Sequence, residues 1–538
     1  MREPVDNKRV KWIVVTGGVL SGLGKGIVSA SIGRLLANGL KIVPVKCDGY
    51  LNVDPGTMNP VEHGEVFVLD DGGEVDLDFG HYERFLSTSC KFTWNLTSGK
   101  IFQSLVERER RGDFLGKTVQ IVPHVTGEIK RKLREIASDE KADVMLIEIG
   151  GTVGDLENLW FLEAIRELQS EVAGDEFLCV HLGYIPVIDA QGQQKTKPMQ
   201  QSTLFLRERG LFPDVFVGRS KERLADKAKE KLHWTCGVEK DAVISDPDCY
   251  SVYEIPLIFE EEGLKEKLER KLKLNIKSDL TDWKRLVHNI LNPEKEITIA
   301  ICGKYTELAD SYISIEESLK HAGAHFKTRV HVKWIETTDI ESGAVSNSEI
   351  FDGVQGLIIP GGFGSRGIEG KISAIKYARE NNIPFLGLCY GLQLAVVEFA
   401  RNVCGLRSAN STEVDEDCKE PVVYIMPEQR QVTIKGATMR LGSYEALLTE
   451  GSTVAKLYGD TVAHERHRHR YEVNPDYHTM LEKNGLVLSG KSKDGVLVEF
   501  IELPGHKYFV ATQAHPELKS RLESPAPLFY GLIEACLE

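Results

Sequence analysis

The sequence predicts an α/β protein with two doubly wound, mostly parallel-sheet domains. Short β-branched runs that lead into glycine occur twice, at Trp12–Thr16 and Ile297–Gly303. After each run, short apolar segments alternate with helical segments, as in parallel sheets with crossover helices. A polar stretch with a proline breaker precedes the second run. We therefore predict a first domain at residues 1–274, a linker at 275–296 and a second domain at 297–538.

Composition and charge narrow the class of protein. The 538 residues include 80 acidic and 66 basic side chains, a formal net charge of −14. This balance argues against bulk nucleic-acid binding but leaves room for local basic pockets. Ten cysteines without a Cys-x-x-Cys pair argue against a disulfide framework or a thiolate zinc site and favour a cytoplasmic location. The longest apolar stretch, Ile383–Val397, is too short to span a bilayer, so no membrane interaction is expected.

The loop after the first strand is typical of a phosphate-binding loop. Residues 16–26 read Thr-Gly-Gly-Val-Leu-Ser-Gly-Leu-Gly-Lys-Gly and precede a predicted helix at Ile27–Asn38. A strand, a glycine loop and a helix in this order aim backbone N–H groups and a helix N-terminus at an anion. Lys25 adds a positive charge for the β- and γ-phosphates. Gly26 stands where such loops usually have a Ser or Thr that binds Mg²⁺, so carboxylates elsewhere must hold the metal.

Candidate carboxylates and cations follow along the first domain. Residues 70–78 contain five acids, which suit either a metal site or an exposed turn. Glu148 ends the apolar run 144–147, a position that commonly holds Mg²⁺ beside a phosphate loop. Lys195 and Lys197 form a small basic group, for which the alternative interpretation is an exposed loop.

The second domain contains a cysteine in a predicted nucleophile elbow. Gly387-Leu-Cys389-Tyr-Gly391 lies between an apolar run and a predicted helix at Leu392–Arg401. Glycines on both sides allow the tight strand-to-helix turn from which a nucleophile protrudes. The helix N-terminus favours the reactive thiolate. The alternative is that Cys389 is a buried structural cysteine, as most free cysteines are. That interpretation does not explain the elbow sequence.

A base and an oxyanion hole complete this predicted site. His515 follows a predicted strand at 508–514, and Glu517 could orient its imidazole, so Cys389, His515 and Glu517 form a candidate triad. The glycine loop 361–364 and the backbone N–H of Tyr390 are the candidate oxyanion donors. A histidine-rich run at 464–473 suggests a metal site, but its interleaved arginines argue against one.

These motifs together resemble the CTP synthase family, with a synthetase domain followed by a class I glutamine amidotransferase domain. The elbow, the triad and the glycine loop carry the resemblance in the second domain, with Asn410-Ser-Thr-Glu413 and His464–Val473 as glutamine-holding segments. Gly49 and Tyr390 depart from the proline and leucine usual in the family. The matching motifs of the first domain are Val15-Thr-Gly-Gly18, Gly22-Leu-Gly-Lys-Gly26, Asn52-Val-Asp-Pro-Gly-Thr57, His63-Gly-Glu-Val-Phe-Val68, Asp76-Leu-Asp78, Glu148-Ile-Gly-Gly-Thr-Val-Gly-Asp155 and Lys195-Thr-Lys-Pro198.

The resemblance implies a role for each matching residue. ATP would be bound by Gly22, Leu23, Gly24, Lys25, Gly26, Ile27 and Asp78, and Mg²⁺ by Asp78 and Glu148. UTP and CTP would be bound by Ser21, Asp155, Leu156, Glu157, Lys195, Thr196, Lys197, Pro198, Met199, Gln200 and Lys231. Glutamine would be bound by Gly362, Tyr390, Gly391, Leu392, Gln393, Glu413 and Arg470.

The implied reaction is the amination of UTP. ATP would phosphorylate the uracil 4-oxygen, and ammonia released from glutamine would pass inside the protein and displace phosphate to give CTP. The family further implies activation by GTP, inhibition by CTP and a homotetramer, with filament formation left open. One alternative is another ATP-dependent glutamine amidotransferase with a different nucleotide or acid acceptor. A cargo-partitioning ATPase, a stand-alone glutamyl hydrolase and a structural filament protein would each leave at least one of the two predicted sites unused.

Overall fold

The computed structural model describes residues 9–58, 64–188, 192–277, 279–303, 312–343, 345–362, 367–426, 429 and 439–538. The chain divides into two compact units. The first unit comprises residues up to 54 together with 81–284, and the second comprises 55–80 together with 285–538. Segment 55–80 therefore packs with the second unit, although it lies within the first predicted domain.

Strands in the described residues alternate with helices through most of the chain. The strands are β1 (Lys11–Gly17), β2 (Ile42–Asp48), β3 (Phe67–Val68), β4 (Glu74–Val75), β5 (Asn95–Thr97), β6 (Val144–Ile149), β7 (Phe177–Tyr184), β8 (Val215–Ser220), β9 (Val243–Pro247), β10 (Lys295–Gly303), β11 (Thr328–Glu336), β12 (Gly356–Ile359), β13 (Phe385–Leu388), β14 (Ala409–Ser411), β15 (Glu420–Ile425), β16 (Arg440–Leu448), β17 (Val462–His469), β18 (Tyr471–Val473), β19 (Val487–Ser492), β20 (Val498–Glu502) and β21 (Phe509–Thr512).

The helices cover the faces of the sheets and connect their strands. They are α1 (Lys25–Leu36), α2 (Asp78–Leu86), α3 (Ser98–Arg110), α4 (Thr126–Asp139), α5 (Leu159–Glu171), α6 (Lys197–Glu208), α7 (Asp226–Cys236), α8 (Ile255–Glu261), α9 (Leu264–Leu272), α10 (Thr281–Leu291), α11 (Ile313–His325), α12 (Thr337–Ser342), α13 (Asn347–Ile350), α14 (Ile368–Glu380), α15 (Tyr390–Asn402), α16 (Thr453–Tyr458), α17 (His478–Lys483) and α18 (Pro527–Leu537). None of them is long and apolar enough to cross a membrane.

The sheet of the first unit is parallel and doubly wound. Its strand order is β5-β2-β6-β1-β7-β8-β9, and every pairing is parallel. The apolar run of β1 is buried on both faces, which is why it shows no alternation of polar residues. The strand order reverses at β1, because β2 lies on one side of it and β7 on the other. Ligands of doubly wound sheets bind in the crevice at such a reversal, at the carboxyl ends of the strands.

The main sheet of the second unit is mixed. Its order is β11-β10-β12-β13-β21-β20-β19-β16-β17, parallel as far as β21 and antiparallel beyond it. Successive residues of β12 and β13 enter two separate buried clusters, one on each face of the sheet. The predicted α/β fold is confirmed, and the predominance of parallel strands is stronger in the first unit than in the second. The carboxyl ends of β12, β13 and β21 lie side by side, which brings three loops together.

The segment predicted as a linker, residues 275–296, contains α10 and the start of β10. Trp283 in α10 is fully buried, and its indole N–H donates to the Tyr253 carbonyl at 2.8 Å. The Trp283 ring packs against Phe85 at 5.3 Å between centroids. The boundary between the two units, after Lys284, falls within this helix.

Candidate active sites

The predicted phosphate loop connects β1 to α1. Gly22 and Gly24 have φ angles of 72° and 92°, in the left-handed region that favours glycine. Lys25 is the first residue of α1, and its aliphatic stem folds back over Gly17, where a Cβ would lie only 2.9 Å from Lys25 Cδ. The loop therefore presents a helix N-terminus and an ammonium group at the carboxyl edge of the sheet.

The loop after β6 is attached to this phosphate loop. Lys25 Nζ donates to the Gly151 carbonyl at 2.7 Å, and the Val153 N–H donates to the Gly17 carbonyl at 3.0 Å. Asp155 closes the same turn by accepting from the Thr152 hydroxyl at 2.8 Å. Because an ammonium has three donors, Lys25 can hold this carbonyl and still bind a phosphate oxygen.

Glu148, the penultimate residue of β6, lies in a buried group of polar side chains. Its Oε1 lies 3.4 Å from Lys46 Nζ, and its Oε2 accepts from the Tyr82 hydroxyl at 2.5 Å. Among the described residues, no three His, Cys, Asp or Glu side chains are grouped as a metal site. A Mg²⁺ ion bound mainly by substrate phosphates needs only one or two hard carboxylate ligands, and Glu148 fits that role. Asp78, the other predicted ligand, is the first residue of α2, and its N–H donates to Asp76.

The remaining predicted nucleotide residues differ in exposure. Thr196 and Met199 are buried, and Met199 fills the space beside Gly183, so its side chain is unavailable to a ligand. Gln200 donates to the Thr196 hydroxyl at 2.9 Å. The predicted residues that are exposed are Ser21, Gly22, Leu156, Glu157, Lys197 and Lys231. Those of intermediate exposure are Leu23, Gly24, Ile27, Asp155, Lys195, Pro198 and Gln200, whereas Gly26 is buried.

A buried histidine below the phosphate loop was missed by the sequence analysis. His181 Nδ1 lies 2.8 Å from the Thr16 hydroxyl, and its Nε2 lies 2.9 Å from the Ser202 hydroxyl. Burial, with a smaller contribution from the Lys25 charge, lowers the pKa of His181 to about 3. The ring is therefore neutral and links β1, β7 and α6 beneath the loop. No local motif around residue 181 signals this contact.

The predicted elbow is present at the end of β13. Cys389 has φ 50° and ψ −98°, a strained backbone for a non-glycine residue. A Cβ on Gly391 would lie 2.2 Å from the Ile359 carbonyl oxygen, and one on Gly387 would lie 2.9 Å from the Gly391 backbone. Both glycines are therefore needed for the turn. Cys389 directly precedes α15, so its sulfur lies at a helix N-terminus.

The histidine and the carboxylate of the predicted triad meet this cysteine. His515 Nδ1 lies 2.7 Å from Glu517 Oε1, and Cys389 interacts electrostatically with the imidazole. Burial alone would lower the pKa of His515, but the Glu517 carboxylate and Cys389 together raise it well above its ordinary value. This arrangement favours a protonated imidazole beside sulfur, as nucleophilic catalysis by cysteine requires.

Four of the predicted glutamine-binding residues, at positions 390–393, directly follow Cys389 in the chain. Gly391, Leu392 and Gln393 lie in the buried first turn of α15, and Gln393 donates to the Tyr471 carbonyl at 3.0 Å. Burial, and then the negative charge of the Glu413 carboxylate, raise the pKa of Tyr390. Arg470 donates to Gln429 at 2.5 Å.

The glycine loop after β12 approaches the same place. A Cβ on Gly361 would lie 2.8 Å from His515 Cε1 and 3.6 Å from Cys389 Cβ, so this glycine faces the pair directly. Gly362 follows it, whereas Phe363 and Gly364 lie outside the described residues. Two neighbours were not predicted. Gln513 Nε2 lies 3.6 Å from Cys389 Sγ, and Lys371 Nζ lies 5.2 Å from the centre of the Tyr390 ring.

The histidine-rich run forms β17, whose buried histidines belong to an ionic network. His467 Nδ1 lies 3.0 Å from His469 Nε2, and Arg440 donates to Glu499 at 2.6 Å and approaches His467 at 3.3 Å. Burial first, and the Arg440 charge second, lower the pKa of both histidines well below the ordinary value. The rings are therefore neutral, and a fixed cation lies beside them.

The chain is similar to known proteins over nearly its whole length. It matches the family described as CTP synthase N-terminus at residues 11–274 and the class-I glutamine amidotransferase family at residues 307–535. A relative named CTP synthase from Methanococcus maripaludis is 54% identical over 98% of this chain and 100% of its own length. One with the same name from Borreliella afzelii is 51% identical over 98% and 100%. The solved glutaminase domain of Trypanosoma brucei CTPS with bound acivicin is 34% identical, covers 45% of this chain and 94% of its own, and has a TM-score of 0.41.

Proposed function

Because the chain belongs to the CTP synthase family, we propose that it catalyses the ATP-dependent amination of UTP to CTP with ammonia from L-glutamine. The observation that carries this proposal is the presence of two sites in one chain. A cysteine elbow has a His–Glu pair bonded at 2.7 Å, and a strand–glycine loop–helix unit has Lys25 at its helix start. A glutamine hydrolase would need only the first site, and a simple ATPase only the second.

In the glutamine half-reaction, the Cys389 sulfur attacks the side-chain carbonyl carbon of glutamine. The oxygen takes up negative charge, which the N–H groups of Tyr390 and of the Gly361–Gly362 turn would stabilise. Protonated His515 gives its proton to the departing nitrogen, so that ammonia leaves and a thioester remains. His515 then takes a proton from water, which hydrolyses the thioester to glutamate and restores Cys389.

The ends of the glutamine substrate need charged partners. Glu413, whose charge acts on the Tyr390 side chain, would bind the α-ammonium group. Arg470, whose position on the chain directly follows β17, would bind the α-carboxylate. Gly362, Gly391, Leu392 and Gln393 would form the floor of this pocket with their backbone groups.

In the synthetase half-reaction, the γ-phosphoryl group of ATP passes to the uracil 4-oxygen of UTP and leaves ADP. Ammonia adds to carbon 4, and phosphate departs to give CTP. Lys25 would neutralise phosphate charge from the N-terminus of α1. Mg²⁺, bound through Asp78 and Glu148, would stabilise charge on the transferring group. The backbone N–H groups of residues 22–27 would cradle the ATP phosphates.

The pyrimidine nucleotide would contact a set of loops around this edge of the sheet. Asp155 and its turn are tied to Lys25 through Gly151, which supports a shared site for the two nucleotides. The exposed lysines supply counter-charge for a triphosphate. The proposed set is Ser21, Asp155, Leu156, Glu157, Lys195, Thr196, Lys197, Pro198, Met199, Gln200 and Lys231, with the buried Thr196 and Met199 acting through the backbone.

Membership of the family is the support for our proposals on regulation and assembly. We propose that GTP activates the glutamine half-reaction, that CTP inhibits, and that the enzyme is a cytoplasmic homotetramer. Titration of CTP formation with GTP and with CTP tests the first two statements. Light scattering of the purified chain tests the third.

The deciding experiment is a nucleotide product assay with UTP, ATP, Mg²⁺ and either glutamine or ammonium chloride. Cys389→Ala should abolish CTP formation with glutamine and preserve it with ammonia, whereas Lys25→Ala should abolish both. Cys418→Ala, at a partly buried cysteine of the same unit, is the matched control. Absence of CTP with the wild-type chain under all conditions, including added GTP, would overturn the proposed function. Loss of both activities in a folded Cys389→Ala variant would overturn the two-site scheme.

A further inference from the structure

The β3–β4 hairpin, residues 67–75, belongs to the second unit although its sequence lies within the synthetase family match. Its strands pair at Phe67 with Val75 and at Val68 with Glu74. Leu69 closes the turn by donating to the Gly73 carbonyl at 2.9 Å. Nothing in the proposed synthetase chemistry uses this turn.

The hairpin is bound to β16 and β17 by charge and by backbone. Arg466 Nε donates to Asp70 Oδ1 at 2.7 Å, and Arg468 Nε donates to Glu74 Oε1 at 2.8 Å. The Ser443 N–H donates to the Asp70 carbonyl at 2.9 Å. The φ angle of Gly72 is 84°, and a Cβ there would lie 3.1 Å from a carbonyl oxygen of β16, so the close approach suits glycine.

The same two arginines contact the catalytic triad through their backbone. The His515 N–H donates to the Arg466 carbonyl at 2.7 Å, and the Arg466 guanidinium donates to the Leu518 carbonyl at 3.3 Å. The Arg468 carbonyl lies 3.9 Å from Cys389 Sγ. Arg466 therefore contacts both Asp70 and His515, and Arg468 contacts both Glu74 and Cys389.

Each of these two ion pairs contains a side chain that is buried from solvent. The Arg466 side chain is fully buried and that of Glu74 is 1% exposed. Glu74 Oε2 is buried without a hydrogen-bond partner among the residues described, so this carboxylate depends strongly on Arg468. Asp70 and Arg468 are 35% and 21% exposed, so each pair joins a buried charge to a partly exposed one, and loss of the partner leaves the buried charge uncompensated.

We propose that Asp70 and Glu74 are positioning residues for the glutamine half-reaction, which they serve by holding β17 against His515 and Cys389. The inference rests on the proposed cysteine chemistry. Both carboxylates would act through Arg466 and Arg468 and not on the substrate itself. Because small displacements of reacting groups cost large factors in rate, loss of either pair should lower turnover more than glutamine binding.

The test compares Asp70→Asn and Glu74→Gln with Asp71→Asn in the full-length chain. Asp71 is exposed in the same turn and accepts from the Gly73 N–H, so its change removes the same charge from the same hairpin. Glutamine hydrolysis is measured as glutamate release, with and without nucleotides. CTP formation from ammonia and the alkylation of Cys389 by iodoacetamide, followed by mass spectrometry, are measured in parallel.

Asp70→Asn and Glu74→Gln should each lower kcat for glutamine hydrolysis by about tenfold or more, with KM for glutamine little changed. Alkylation of Cys389 should slow, ammonia-dependent CTP formation should persist, and Asp70→Glu should recover part of the lost rate. Wild-type turnover and alkylation in both folded variants would overturn the proposal, as would an equal loss of the ammonia-dependent reaction. If Asp70→Asn fails to fold, Glu74→Gln decides alone. A wild-type chain that hydrolyses glutamine but makes no CTP would refute the proposed function and leave this test intact.

Discussion

Replacing Glu517 by glutamine removes the charge that holds the His515 imidazole and isolates one bond of the triad. The two side chains are 2.7 Å apart and only 5% and 15% exposed, so solvent cannot substitute for the carboxylate. A hydrogen bond to a charged group contributes about 1.5–3 kcal/mol, and each ~1.36 kcal/mol corresponds to a tenfold change in rate. We therefore expect Glu517→Gln to lower kcat for glutamine hydrolysis by about ten- to a hundredfold.

The effect of Glu517→Gln on the free energy of unfolding should depend on pH. Burial opposes the positive charge on His515, but Glu517 and Cys389 raise its pKa above the ordinary value. A group whose pKa is raised by folding contributes stability that is complete below its unfolded pKa, about 6.5 for histidine, and is lost as pH rises through the folded pKa. Glu517→Gln should therefore lower the free energy of unfolding more near neutral pH than in strongly alkaline solution.

The assay measures glutamate release, and ammonia-dependent CTP formation and urea unfolding are measured in parallel. Glu369→Gln is the matched control, because Glu369 is 64% exposed and pairs with Arg401 on the surface of the same unit. The control should leave kcat and the free energy of unfolding unchanged. A folded Glu517→Gln enzyme with wild-type kcat, or one whose destabilisation grows with rising pH, would refute the reasoning.

Three further changes test other parts of the structure. Gly391→Ala should abolish glutamine hydrolysis and lower the free energy of unfolding by about 1–3 kcal/mol, because a Cβ would lie 2.2 Å from a backbone oxygen. The control is Gly174→Ala, where a Cβ would meet nothing within 4 Å. An active Gly391→Ala enzyme would contradict this account of the elbow. Tyr82→Phe removes the hydrogen bond to Glu148 and should lower CTP formation about tenfold with either nitrogen source while glutamine hydrolysis persists. An equal loss of glutamine hydrolysis would argue against a role of this hydrogen bond in the synthetase reaction. Trp283→Ala should lower the free energy of unfolding by about 3–5 kcal/mol in urea titrations, and a loss below about 1 kcal/mol would show that the site collapses around the smaller side chain.

The elbow and the phosphate loop were predictable because their chemistry is local. In both places a nucleophile or a cation, its flanking glycines and the following helix lie within a dozen residues, so spacing alone defines the geometry. The helix after Cys389 was expected from Leu392 and begins two residues earlier, at Tyr390. That difference matters, because it puts the Tyr390 N–H at the helix N-terminus, where an oxyanion donor belongs.

The long-range contacts could not be predicted in the same way. Tyr82 and Glu148 are 66 residues apart, and Gln513 and Cys389 are 124 apart. Such pairs depend on which side chains the assembled sheets bring together, and no spacing rule encodes that. The helix α10 is a different case, because its signal was present: Trp283, Leu286, Val287 and Ile290 follow helical spacing and are all buried. The polar residues between them led to the prediction of a linker.

Polar partners on both faces of β17 fix the position of this strand beside His515 and Cys389. Alternate residues of a strand point to opposite faces. Arg466 and Arg468 bind the hairpin carboxylates on one face, whereas His467 and His469 join Arg440 in the buried network on the other. Each face therefore has charged or polar partners that are costly to separate once buried. The backbone between them carries the carbonyls next to His515 and Cys389, so a change in either set of partners would act on the triad through these two contacts.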